Sequence, residues 1–163
     1  MALKSYSPQD VDILLGGFYR VSGFVEDSFI SISKDVQPYK TKRSSDGQVA
    51  RTFIKDDTYT VEISLASSSP ANDILTKIYQ VDSLSQYAKF PLFIKDTLGS
   101  SLFISPTAWI KQVPDLSFTS SVSERVWALQ ATQATFNIGG NDGASSALED
   151  LANAGFGAIG GFL

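Results

Sequence analysis

The side chains that could do chemistry are few, and their inventory works mainly by exclusion. The chain has 163 residues with no histidine and no cysteine. That removes the usual general base and metal ligand, thiolate zinc sites, disulfides, and every Ser/His or Cys/His nucleophile pair. Carboxylates remain, and two of them can hydrolyse a glycosidic bond. No pair in this sequence sits in an evident cleft motif, so an enzyme is not expected. Asp56-Asp57 lies beside Lys55 and reads as a plain turn, with too few oxygens at set spacing to hold calcium. "GGNDG" (139–143) looks like a calcium-binding glycine-aspartate repeat but occurs once, so no metal or cofactor is expected. Trp109 and Trp127 could form a sugar platform, although packing in a core or interface is the commoner use of tryptophan.

What remains is charge. "DVQPYKTKRSSDGQVART" gathers Lys40, Lys42, Arg43 and Arg51 around a Ser-Ser-Asp-Gly turn that contains Asp46. The chain as a whole is nonetheless acidic, with net charge -4 and a pI near 4.7. That balance disfavours a surface that grips phosphates. Tyr39 is the only aromatic interleaved with the basic residues, which also disfavours nucleic-acid stacking. A solvated loop and a protein interface both remain open. Folded as a hairpin of about seven residues a side, the segment reaches roughly 24 Å.

The elements around this loop read as β-rich. "TYTVEISL" alternates cleanly: Tyr59, Val61, Ile63 and Leu65 share one face, while Thr58, Thr60, Glu62 and Ser64 share the other. "FYRVSGFV" (18–25) and "FISIS" (29–33) read as strands joined at Glu26-Asp27. "FPLFIKDTLGSSLFISPTAWIKQVP" reads as a hairpin turning near Leu98-Gly99-Ser100, then a further strand through Trp109 and Ile110 that "DLSFTSS" continues. "RVWALQATQATFNI" is long for a strand, and its apolar residues change parity. Either a bulge resets the register or both faces are covered. A helix is expected over residues 70–87, with Ser69 as N-cap, Asp73 in the first turn, and Ile74, Leu75, Ile78 and Val81 as its apolar stripe.

The ends differ from the middle. "YSPQDVDILLGG" opens with a helix-start signal but is too short to stand alone, so residues 1–17 read as a docking arm. Residues 139–163 hold seven of the twelve glycines and finish in the apolar "FGAIGGFL", a second arm. No signal peptide or membrane span is recognised, so cytoplasmic synthesis and no membrane partner are expected. The whole reads as one mainly β domain, an antiparallel sandwich or partly open barrel of about seven or eight strands with one flanking helix. The two arms and a long hairpin loop (36–51) look wasteful in a monomer. An unclosed sheet also leaves borders that copies of the same chain could pair.

These segments carry a resemblance. Gly47 in a turn, the following Arg51, the strand Thr60-Val61-Glu62-Ile63, and the helix start Ser69-Pro70 with Asn72, Asp73 and Leu75 resemble the tail tube proteins of contractile-tailed bacteriophages. "SPQDVDILLGGF" and "VSGF" are similar to that group's opening. The likeness covers the first half well and the second half in strand content and length. It implies a self-assembling structural subunit: hexameric rings stacked as a tube inside a contractile sheath, with DNA leaving through the bore without specific binding. It implies a place in the virion tail, with sheath, baseplate, tail-terminator and tape-measure proteins as partners. Tailocin and type VI secretion tubes are close variants, and a β-sandwich carbohydrate binder is the alternative from another class. Under this reading Lys40, Lys42, Arg43, Asp46 and Arg51 lie on an inter-ring loop. Leu14, Leu15, Leu148, Leu151, Phe156 and Phe162 are the arms' contacts to neighbouring subunits. Thr58, Thr60, Glu62 and Ser64 are expected to line the bore, where acidic balance keeps phosphate from sticking.

Overall fold

The computed structural model describes residues 11–25 and 29–139. Ten strands and one helix follow in the order β1 (Val11–Leu15), β2 (Tyr19–Arg20), β3 (Ile30–Lys34), β4 (Tyr39–Arg43), β5 (Val49–Phe53), β6 (Thr58–Ala66), α1 (Ala71–Ser85), β7 (Phe90–Asp96), β8 (Leu102–Gln112), β9 (Glu124–Thr132) and β10 (Thr135–Asn137). Eight strands form one antiparallel sheet, ordered β2-β1-β7-β8-β9-β6-β3, with β10 added beside β8; β4 and β5 pair separately. The sheet does not close, and β2 and β3 are its two borders. The mainly β class with a flanking helix is the one the sequence implied.

Alternation builds the core. Tyr59, Val61, Ile63 and Leu65 of β6 are all buried, packed with Ile13, Leu15, Leu92, Phe103, Ile110, Trp127 and Leu129. Burying each such large side chain contributes about 1.5–3 kcal/mol. Of the two physical causes open from the sequence for the parity change in 125–138, burial on both faces is the one found, since β9 and β10 keep a single register along 102–110 of β8. Residues 127–131 are buried on both faces. Gln133 then takes a left-handed φ of 54°, and its amide donates to Asp57 O at 3.2 Å. β9 therefore pairs Thr107–Gln112 of β8, while β10 pairs Leu102–Ile104 of the same strand.

The helix is fastened to the sheet at its start. Ser69 Oγ accepts from Ala71 N at 3.2 Å and donates to Ser22 O at 2.6 Å. Buried Asn72 donates to Ala66 O and Ser69 O, and its Oδ1 accepts from the Trp127 indole at 2.9 Å. Gly23 (φ +78°) lies so close that a Cβ there would fall 2.6 Å from Ser69 Oγ. The "VSGF" and "SSSPAND" segments thus form one joint. Of the expected helical stripe, Leu75 is buried, Ile74 and Ile78 are half-buried, and Val81 is exposed.

Several expectations are corrected. Val11–Leu15 is not an arm but a strand paired along β7, because Gly16 and Gly17 both take positive φ and turn the chain back into β2. Its own alternation buries Ile13 and Leu15. Strand geometry over 18–25 is limited to Tyr19–Arg20 and a single bridge from Phe24 to Leu65. Residues 102–112 form one strand rather than a hairpin arm followed by another, with one bulge opposite Phe90/Leu92 and a second between its own Ile110 and Gln112. "DLSFTSS" does not continue it; pairing with β9 stops at Gln112, and residues 113–123 run over the surface without a partner strand. Pro114 lacks the amide that a ladder would use there.

Candidate functional site

Among the described residues no group of three or more Asp and Glu side chains converges as a metal site. Asp56 works as a turn former: its Oδ1 accepts from Thr58 N at 2.9 Å and Thr58 Oγ1 at 2.5 Å, which holds its carboxyl below the ordinary value. The tryptophans make no platform, since Trp127 is buried and Trp109 half-buried. The surfaces left are a polar sheet face, two borders and a projecting hairpin.

The polar face is the back of the core strands. Thr58 and Thr60 are half-buried and Glu62 is exposed, opposite the buried set of β6. In register beside them stand Ser31 and Ser33 of β3 and Gln130 of β9. Asp35 closes the cluster: Thr60 Oγ1 donates to its Oδ1 at 2.5 Å and the Gln130 amide to its Oδ2. The Thr60 bond is the main reason the Asp35 carboxyl lies below its ordinary value; Gln130 and Lys111 add to this, and slight burial opposes it. Ser64, expected on this face, is instead buried. Its strand end is covered alongside by the preceding segment, with Val25 N bonding Ser64 O and Ser64 N bonding Phe29 O.

The hairpin β4–β5 is exposed along both strands. Its tip is built by a three-residue loop: Gly47 N bonds Ser44 O at 3.1 Å, Ser44 N bonds Gln48 O at 2.9 Å, and Gly47 sits at φ +86°. Asp46 accepts from the Ser44 hydroxyl and Gln48 N, which lowers its carboxyl from the ordinary value. The ladder Tyr39↔Phe53, Lys40↔Thr52, Thr41↔Arg51, Lys42↔Ala50 and Arg43↔Val49 sorts the side chains into two faces. Lys40 and Lys42 share one. Arg43 and Arg51 share the other with Tyr39, Val49 and Phe53. On it Tyr39 and Phe53 stack with centroids 5.4 Å apart, and the Arg51 guanidinium lies 4.1 Å from the Tyr39 ring. A lone two-stranded hairpin is marginal in water. This one holds itself with an aromatic pair and a cation–π contact worth about 0.5–1 kcal/mol at exposed sites.

The expected contact residues therefore divide. Lys40, Lys42, Arg43, Asp46 and Arg51 come together on the hairpin, all exposed. Leu14 is half-buried on the border strand pair, and Leu15 belongs to the core, unavailable to a neighbour. Leu148, Leu151, Phe156 and Phe162 lie outside the described residues. Sequence reading missed the apolar half of the hairpin, although Tyr39 and Phe53 flank the Ser-Ser-Asp-Gly turn nearly symmetrically. It also missed Leu116, Phe118 and Val122, which are exposed on the 113–123 segment.

No family model matches the chain. Structural protein ORF10 of Pseudomonas phage KPP10 is 31% identical over 158 residues, covering 93% of this chain and 91% of that protein. Among solved structures, the fold is shared with the tube-terminating cap of the anti-feeding prophage (TM-score 0.57, 16% identity, 84% of this chain and 94% of that one). It is shared equally with a chain of the extended sheath-tube complex of the extracellular contractile injection system PVC (TM-score 0.56, 15% identity, 82% and 91%).

Proposed function

We propose that this chain, which belongs to the family of phage structural proteins that includes ORF10 of Pseudomonas phage KPP10, is the tube subunit of a contractile phage tail. Six copies would pair their sheets into a ring, rings would stack into a tube within a sheath, and DNA would leave through the bore. The observation that carries this reading is the open sheet, whose two borders have no partner strand among the described residues, beside a hairpin exposed over its whole length. Both are costly in an isolated protein: borders template aggregation, and an ordered hairpin that covers no core brings little in return for its lost entropy. Both become useful when copies pair head to tail and the hairpin reaches the next ring.

In this arrangement Lys40, Lys42, Arg43, Asp46 and Arg51 form the ring-to-ring contact. The basic hairpin meets the acidic surface that a chain of net charge -4 presents elsewhere. Thr58, Thr60 and Glu62 line the bore as a hydroxyl-rich face with a carboxylate that repels phosphate. The role is structural rather than enzymatic, and the place is the virion tail, in contact with sheath, baseplate, tape-measure and terminator proteins.

Negative-stain microscopy of the purified protein tests the reading, with open-bored tubes expected and a persistent monomer at high concentration against it. Rings that never stack would instead indicate a terminator. Excising Tyr39–Phe53 refines the test. Ile54 N bonds Pro38 O at 2.7 Å, so a Gly-Gly link can close the gap. The body should fold unchanged and tube growth should fail; unimpaired tubes would remove the hairpin from the ring contact.

A further inference from the structure

An apolar groove of ≈ 480 Å³ lies in the seam where the sheet fails to close. Ile30 and Ile32 of border strand β3 form one wall, Val11 and Ile94 the other, and Tyr59 and Phe103 the floor. Its size is that of a ligand pocket. Ile32 is 40% exposed and Ile138, at the groove's end, 87% exposed. Exposed apolar surface rimmed by polar groups marks an interaction site.

The chain itself points to the occupant. The described chain leaves this rim at Gly139, which is tied to it by bonds in both directions with Ser101 Oγ at 3.1 Å. Residues 140–163 follow, and 156–163 read FGAIGGFL, with four large apolar side chains and no charged ones. Glycines between them let the backbone lie close to a wall. Residues 1–10 precede the groove-lining Val11 in the sequence but include Lys4, Pro8 and Asp10, and so offer fewer apolar side chains than 156–163. One wall is border strand β3, which a neighbouring copy would pair, so the described chain ends at the rim of a groove that lies along a copy-to-copy contact.

We propose that Phe156–Leu163 of one copy seats in the border groove of the adjacent copy. This rests on the assembly reading above. The chain's lack of cysteine makes the test direct. Ile32→Cys and Ser101→Cys would each be combined with Phe156→Cys and with Phe162→Cys, and the four proteins assembled and oxidised. At least one pair should give interchain cross-links that run as a ladder under non-reducing conditions. A Ser45→Cys and Phe162→Cys control, with its first cysteine at the hairpin tip, should give less than a tenth of that yield. Tubes without a ladder, an intrachain disulfide alone, or an equal ladder in the control would overturn the docking and leave the tube reading standing. A ladder in protein that forms no tubes would support the docking and overturn the tube. Neither tubes nor ladder would overturn both.

Discussion

Replacing Asn72 by alanine takes the acceptor away from the buried Trp127 indole and two donors away from the end of β6 and the helix start. A buried donor left unpaired costs about 1–3 kcal/mol. Asn72→Ala should lower unfolding stability by that amount in a urea titration, with Trp127 fluorescence shifting to the red as the indole seeks water. Asp35 offers a test of sign. Its folded-state carboxyl titrates below the ordinary value because Thr60 and Gln130 bond the ionised form. Its contribution is complete above the unfolded value of about 3.9. It is lost as pH falls from there through the lower folded value. Asp35→Asn should therefore flatten part of the acid limb of a stability-against-pH curve while leaving its slope near neutrality unchanged. At this scale the sequence was informative where a residue type answers a local geometry: Gly47 and Asp46 do what their types imply, while Ser69, expected as the N-cap, stands one residue before the cap position at Pro70 and ties the helix start to Ser22. Asn72 was legible only as part of a motif, because its partner Trp127 stands 55 positions away.

Strands declared themselves where one face is wet. β6 alternates between core and polar face, and its pattern reads directly; β9 is buried on both faces over 127–131 and therefore shows no period. β1 was hidden for another reason. Its short apolar run follows Ser7 and Pro8, a pair that marks helix starts, while its strand character comes from pairing with β7 some eighty positions later. The hairpin was read correctly as a projecting hairpin, since turn residues and charge are local properties. Its separateness from the body gives a clean test. Gly47→Val puts a β-branched side chain at φ +86°, where L residues are strained. Thermal unfolding of the body should stay within about 0.5 kcal/mol of the parent. Tubes should become fewer and shorter by microscopy.

Among the described residues the body is an open sheet, with border strand β3 and the Val11 end of β1 lining an apolar groove. That organisation was legible only in outline. Strand count and edge arguments give an unclosed β domain, but which strands become borders depends on long-range pairing that no local pattern encodes. Border chemistry can be tested without touching the core. Ser31 and Ser33 are exposed on β3, and lysines at both would place charge along that border. The double variant should keep its melting temperature within a few degrees and remain monomeric in sedimentation at concentrations where the parent assembles. The joint between Gly23 and Ser69 constrains its two residues unequally. The hydroxyl of residue 69 occupies the space a side chain at 23 would need. The exclusion runs one way: enlarging residue 23 would push the helix start off the sheet, whereas trimming residue 69 would only open a small void and free the Ser22 carbonyl.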